Sequence, residues 1–356
     1  MGFSKIIAVV FLFVGSAMAC AAPAPPAPKV FNSSYDIVYP QKTPPFKDPA
    51  TFIPARNVYT SNITNIYQIN VNTKGEIVSN TSSVYYIPDD SSTNVSSTRI
   101  PLWWDEFDGE YVDLSAWLTI DGSGSTGWGN GELQVYSHEN VYLKDGMLNI
   151  MAFRDANGNW TSGRVHSRNA WSPGMDIGGK TVSKIYFESL VIIPQGGNGL
   201  WPAFWAFPED SVYGQYAASG EIDIMELRDS LDKITSGIHY GSCEPGNLRN
   251  MTRTFSDIFP SFAGEAFVFG IEWSLDTIVF TINGVETTRR VSKALDPENG
   301  WFSGAANAKV SSPFDEPFHV IYNIAVGGNF PKYKPDDTTP EYVIMSIDYF
   351  RVFAEF

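Results

Sequence analysis

The sequence predicts an all-β protein built as a sandwich of two antiparallel sheets, and three observations carry that expectation. Runs rich in β-branched and aromatic residues recur at 182–193, 267–273, 277–282, 318–325 and 342–353, separated by Gly, Asn, Asp or Pro. Two dipeptides mark tight hairpins. Asn283-Gly284 follows TIVFTI, and Asp145-Gly146 separates ENVYL from MLNIMAF, and both residues of each pair tolerate positive φ. No window carries a capped 3.6-residue apolar period, so helices are expected to be short and few. Closely spaced strands over 101–356 then fit two packed sheets.

Composition narrows the function. The 356 residues are 43% hydrophobic and 18% charged, enough to bury a substantial core. Aromatics reach 14%, with ten Trp, which excludes a disordered chain and suggests rings placed where a ligand can use them. A net charge of −15 argues against a phosphate-tracking groove, so no nucleic-acid partner is expected. Two Cys make neither a disulfide scaffold nor a Cys-rich zinc site. Nothing after the first twenty residues is apolar enough to span a membrane. His138, His166, His239 and His319 lie far apart without metal-ligand spacing, and no phosphate loop, G-x-S-x-G elbow or H-E-x-x-H occurs. A soluble monomer acting on something neutral is the expectation.

The N-terminus reads as a secretory signal over residues 1–19. Lys5 supplies the positive charge, 6–14 the short apolar run, and Ala17-Met18-Ala19 the small-x-small cleavage site, which predicts an extracellular protein. Cleavage there leaves Cys20 first, but the residues before it make a poor lipobox. Residues 20–100 read as a linker, glycosylated stalk or pro-segment. The Ala/Pro tract 21–28, Pro-rich 40–54 and polar 79–98 bury too little apolar surface to offset their ordering entropy. Within them, 57–86 alternates weakly and predicts a strand or two. Six Asn-x-Ser/Thr sequons, at Asn32, Asn62, Asn80, Asn94, Asn159 and Asn250, fit a glycosylated secreted protein. Every Trp lies between 103 and 301, so the folded unit is expected over 101–356.

The chemistry concentrates in GEIDIMEL, 220–227. Strand side chains alternate faces, so Glu221 and Asp223 share one face while Ile222 and Ile224 enter the core. Strict alternation sends Glu226 inward too, burying an unpaired charge at severe cost. The consecutive apolar pair Ile224 and Met225 breaks the alternation. One extra residue in a β-bulge, assigned to Met225, returns Glu226 to the acidic face. Three acids in a row repel, so at least one pKa is raised. Retaining glycoside hydrolysis needs that arrangement: an ionised nucleophile and a protonated general acid roughly 5–5.5 Å apart. Asp223 between them would hydrogen-bond the nucleophile. An ordinary polar strand edge also carries alternating acids, and core packing also accounts for Trp residues, but the neighbourhood favours the catalytic reading. Trp201 and Trp205 precede the acids and His239-Tyr240 ends the next run, and aromatic faces stack on sugars without needing a charged ligand.

With these residues in place, the sequence resembles glycoside hydrolase family 16, especially its laminarinase-like endo-β-1,3-glucanase branch. Eight motifs occur in order: WWDEFDG (103–109), GWGNGELQVYS (127–137), GRVHSR (163–168), GLWPAFWAFPE (199–209), GEIDIMEL (220–227), GIHYGS (237–242), PFHVIYNIAVGGNFP (317–331) and IDYFRVF (347–353). The resemblance implies a β-jelly roll whose concave sheet forms an open substrate cleft. It implies Glu221 as nucleophile, Asp223 as assisting acid and Glu226 as general acid/base. The E-x-D-x-x-E spacing belongs to the family's bulged-strand branch. Asn130 and Glu132 match cleft-lining positions, Trp201 and Trp205 sugar-stacking ones, and His239 a histidine close to the acid/base. No cofactor is implied for catalysis. A structural Ca²⁺ on the convex face is implied, held by Glu106, the Gly146 carbonyl and Asp348. The strand SKIYFESLVIIPQGG, with Lys184 and Glu188, departs from the family pattern. So does the YGQYAAS loop before the acids, which borders the cleft.

The reading is a secreted retaining hydrolase of β-1,3(4)-glucan, its partner a polysaccharide. Two rivals share the fold. A transglycosylase would carry the same acids and lengthen glucan chains. A non-catalytic β-glucan recognition protein typically lacks one or both glutamates, and here both are present.

Overall fold

Seven antiparallel strands form the sheet that carries the acids: β1 (Trp117–Thr119), β2 (Arg164–Ser167), β3 (Leu200–Pro208), β4 (Glu221–Glu226), β5 (Ile234–Gly241), β6 (Leu248–Phe255) and β7 (Phe318–Val326). Their spatial order is β6-β5-β4-β3-β7-β2-β1, so the acidic strand sits between β3 and β5. The computed structural model describes residues 68–71, 77–81, 99–242, 248–255 and 261–356.

A second sheet of ten strands packs behind the first. Its long strand Tyr342–Glu355 pairs with Lys184–Ile192 along one side. Along the other it pairs first with Met147–Arg154 and then with Ile100–Asp105. Pairing is antiparallel except where Val135–Tyr136 runs parallel to Trp160–Ser162. The β-rich runs all appear as strands, and Lys184–Ile192, Ala266–Ser274 and Thr277–Ile282 lead in that order to the edge strand Val285–Val291. Both expected hairpin turns form: Asn283 and Gly284 take φ of 50° and 76°, and Asp145 and Gly146 take 57° and 72°. Among the described residues the only helical turns are Gly127–Gly131 and His138–Asn140.

Alternation along the strands builds the core. In β3, Leu200, Phe204 and Ala206 are buried, while Trp201, Trp205 and Phe207 stay partly exposed on the other face. Phe204 stacks on Tyr322 with centroids 4.5 Å apart, and Trp117, Phe187 and Phe350 close around them. Each ring so buried contributes about 1.5–3 kcal/mol. The buried Tyr322 hydroxyl donates to Ser189 Oγ, which donates to the Tyr349 carbonyl, so a polar link joins the sheets without an unpaired group.

Ahead of the sandwich, Gln68–Val71 pairs with Ile77–Thr81, where weak alternation predicts a strand or two. The signal segment, Asn32, Asn62, Asn94, Cys20 and Cys243 lie outside the described residues. Lys184 and Glu188, the departure noted in the sequence, belong to the outer sheet. There they face Glu355, Glu272 and Arg351 rather than the acids.

Candidate active site

The acids sit on a two-against-one bulge. Asp223 pairs with Gly237 and Glu226 with Thr235, so Ile224 and Met225 together oppose the single residue Ser236. On the β3 side Met225 faces Phe204 and Ile224 has no register partner, so Ile224, rather than Met225, is the surplus residue. The Ser236 hydroxyl donates to the Ile224 carbonyl at 2.8 Å and satisfies the group the bulge frees from the ladder. Ile222, Ile224 and Met225 stay buried, and Glu226 comes opposite Ala203, on the same face as Asp223 opposite Trp205.

Electrostatics at this face are dominated by desolvation. Burial raises all three carboxyls, and like charges raise Glu221 and Glu226 further. Asp223 is pushed up to about 7 and Glu226 up to about 8. Glu221 lies well above its ordinary range through burial and then the Asp223 charge, with which it also shares a hydrogen bond. Carboxyls this close cannot all ionise together, so the trio keeps protons at a pH where exposed acids have lost theirs.

His239 stands opposite Glu221 in the β4–β5 register. Its Nε2 lies 3.2 Å from Asp223 Oδ2 and 3.9 Å from Glu221 Oε1. Asp223 Oδ2 nevertheless lacks an aligned hydrogen bond, so the contact is one of proximity and charge. The expectation placed this histidine close to Glu226. Pairing places it beside the other two acids as well, and it favours the ionised form of Glu226. Glu221, Asp223 and His239 are also the one group among the described residues whose donor atoms lie close enough to hold a metal ion, within 4.8 Å of one another.

The predicted sugar-contacting residues gather on the same face. Trp201 Nε1 donates to Glu226 Oε1 at 3.0 Å, and its ring packs against Phe330 at 5.0 Å. Trp205 Nε1 donates to Asn323 Oδ1 at 2.7 Å. Asn323 Nδ2 then donates to the Tyr136 hydroxyl, which donates to Glu132 Oε2 at 3.4 Å. Asn130 Nδ2 donates to Glu132 Oε1 and Gln134 Nε2 to Glu132 Oε2. A continuous hydrogen-bonded floor therefore runs from Trp205 to Asn130. Gly328 closes it at φ +85°, where a Cβ would lie 3.2 Å from the Asn130 carbonyl oxygen and 3.3 Å from Glu132 Cγ.

Three residues here escaped the sequence reading. Asn323 is a lone amide in the otherwise apolar VIYNIAV, a signal that was there to be used. Arg164, inside GRVHSR, places its guanidinium 4.6 Å from the Trp128 ring and 5.0 Å from that of Trp205. Tyr216, from the loop before the acids, sets an exposed ring 5.8 Å from His239. Only pairing reveals the last two.

The expected Ca²⁺ ligands meet where Tyr342–Glu355 passes from one neighbour to the other. Ile347 pairs with Leu148 and Phe350 with Asp105, which brings Asp348, Gly146 and Glu106 into one region. Glu106, however, spends both carboxylate oxygens on Arg351, at 2.7 and 2.8 Å. A guanidinium on that carboxylate occupies the position a divalent cation would need, so the Glu106 side chain does not fit the expected ligand role.

No protein-family model matches the chain. Over 272 residues it is 34% identical to the glucan endo-1,3-beta-glucosidase A1 of Niallia circulans, covering 71% of this chain but 38% of that longer protein. It is 32% identical over 246 residues to the glucan endo-1,3-beta-glucosidase of Cryptopygus antarcticus, covering 66% of this chain and 83% of that one. Among solved structures, the endo-beta-1,3-glucanase from Pyrococcus furiosus superposes with a TM-score of 0.59 at 30% identity, over 72% of this chain and 95% of that one. Bulged acidic strand, two-sheet sandwich and relatives agree, and the chain belongs to the laminarinase-like endo-β-1,3-glucanases of glycoside hydrolase family 16.

Proposed function

We propose that the protein is a secreted retaining endo-β-1,3(4)-glucanase. The observation that supports it is the bulge at Ile224–Met225, which sets Glu221, Asp223 and Glu226 on one face. Glu226, held protonated by burial, gives its proton to the glycosidic oxygen while ionised Glu221 attacks the anomeric carbon. The glycosidic bond breaks, the leaving chain takes the proton, and an ester joins Glu221 to the remaining sugar. Glu226, now a carboxylate, removes a proton from water as the water attacks the same carbon and frees Glu221. Two inversions leave the β configuration unchanged. Asp223 and Glu221 share one hydrogen bond and its proton, and passage of that proton to Asp223 leaves Glu221 ionised for attack.

The net charge of −15 favours neutral glucans over sulfated ones, since anion would meet anion. The apolar leader 6–14 and the Ala17-Met18-Ala19 site support export. Incubation with laminarin, lichenan, agarose and carrageenan, followed by product sizing and NMR of the first anomer released, tests the reading. Shortened β-glucan with β products is expected. Wild-type turnover by Glu221→Ser, or an α first product, overturns the mechanism. Lengthened chains would mark a transglycosylase, and binding without reducing-sugar release a recognition protein.

A further inference from the structure

The site face does not end at the acids. By register, Asp223 is followed across the sheet by Trp205, Ile321, His166 and Leu118. In the adjoining row His319 lies opposite Phe207. His166 therefore stands three strands from the acids, about 14 Å at ordinary strand spacing.

The rings on this stretch form one connected surface. His166 stacks on His319 with centroids 5.2 Å apart and planes at 22°. Phe207 meets His319 edge-on at 6.5 Å and Trp205 at 5.7 Å. All four stay partly exposed, whereas Ala206 and Val320 on the same strands are wholly buried against the core. The core therefore does not account for them.

Both imidazoles are kept neutral. Arg164 Nε donates to His166 Nε2 at 2.8 Å, so that nitrogen carries a lone pair and not a proton. Burial lowers the pKa of His166, and Arg164 and His319 lower it further. Burial and Arg164 likewise lower His319, against the opposing pull of Glu209, whose Oε2 lies 3.1 Å from Nδ1. Protonating the stack would set cations against the buried guanidinium. What remains is a set of uncharged rings bordered by the exposed carboxylate of Glu209. That chemistry suits the apolar face of a neutral pyranose with a hydroxyl within reach of the acid, and it repels a sulfated or uronic sugar.

We propose that Phe207, His319 and His166 form an outer subsite that stacks a neutral glucosyl ring two to three units from the scissile bond, with Glu209 accepting from a sugar hydroxyl. The inference rests on the glucanase reading and extends it: the enzyme selects chains long enough to cover this surface.

The test compares kcat/KM on laminari-oligosaccharides from the trisaccharide to the heptasaccharide. In the wild type the ratio of long- to short-substrate kcat/KM is high. In His319→Ala and in Phe207→Ala that ratio falls by about three- to tenfold, and His319→Phe, which keeps a ring, restores it. Melting curves confirm that each variant is folded. A folded His319→Ala or Phe207→Ala with the wild-type ratio overturns the proposal. Binding of the same oligosaccharides to Glu221→Gln reads the length step without turnover. If the wild type cleaves none of them, the glucanase reading fails, while the binding step still decides the subsite.

Discussion

Trp201 and Glu226 are joined by one hydrogen bond, indole Nε1 to carboxyl Oε1 at 3.0 Å, although they lie on neighbouring strands 25 residues apart. The bond favours the ionised acid and so opposes the burial that raises it. In the proposed mechanism residue 201 therefore acts on proton transfer. Trp201→Phe keeps the ring and removes the donor. Its loss raises the Glu226 pKa further, so the alkaline limb of the kcat/KM profile moves to higher pH, and kcat falls by about tenfold. A pH–rate profile on laminarin checks both.

The bulge makes a sharper prediction. Deleting the surplus Ile224 leaves E-I-D-M-E, whose strict alternation keeps the third acid beside the other two without a bulge. The deletion variant is therefore expected to fold and to retain measurable hydrolysis. Glu226→Gln, which keeps the bulge and removes the proton donor, should lower hydrolysis roughly 10²–10⁴-fold, the usual contribution of a general acid. Circular dichroism with a reducing-sugar assay checks both variants.

Gly328 allows the site floor to close. Its φ of +85° strains any other residue, and a methyl group there would crowd Asn130 and Glu132 by a few tenths of an ångström. Gly328→Ala should cost about 1 kcal/mol of stability and raise KM several-fold with little change in kcat, because the floor positions sugar and the acids are untouched. Steady-state kinetics and urea unfolding check it.

Stability should also depend on the acids. Glu226 moves from an ordinary 4.5 to about 8 in the folded chain. Between those values the unfolded chain gives up a proton that the folded chain retains, so stability falls as pH rises through the window. Glu226→Gln removes that contribution. Its melting temperature should match the wild type near pH 4.5 and exceed it by a few degrees near pH 8, as thermal melts across the range would show.

Much of the site is local and therefore readable along the chain. Ile224 beside Met225 breaks an alternation of two, and only an extra residue reconciles that break with an acid at 226. Asn-Gly and Asp-Gly pairs tolerate positive φ wherever they occur, so two hairpins were legible as well. The contacts of His239 with Glu221 and Asp223 were not legible for the opposite reason: they depend on which residue of β4 it faces. Glu106 was assigned as a ligand because Arg351, 245 residues away, holds its carboxylate only once the outer sheet is formed.

From its sequence alone, this protein has an all-β sandwich, an acidic trio on one strand and the bulge that aligns it, because strand periodicity is a property of consecutive residues. Strand order decided the rest. Trp201 on Glu226, Asn323 beneath Trp205 and the His166–His319 stack exist because β2, β3, β4 and β7 lie side by side, and pairing between distant segments is set by how two whole sheets bury their apolar faces.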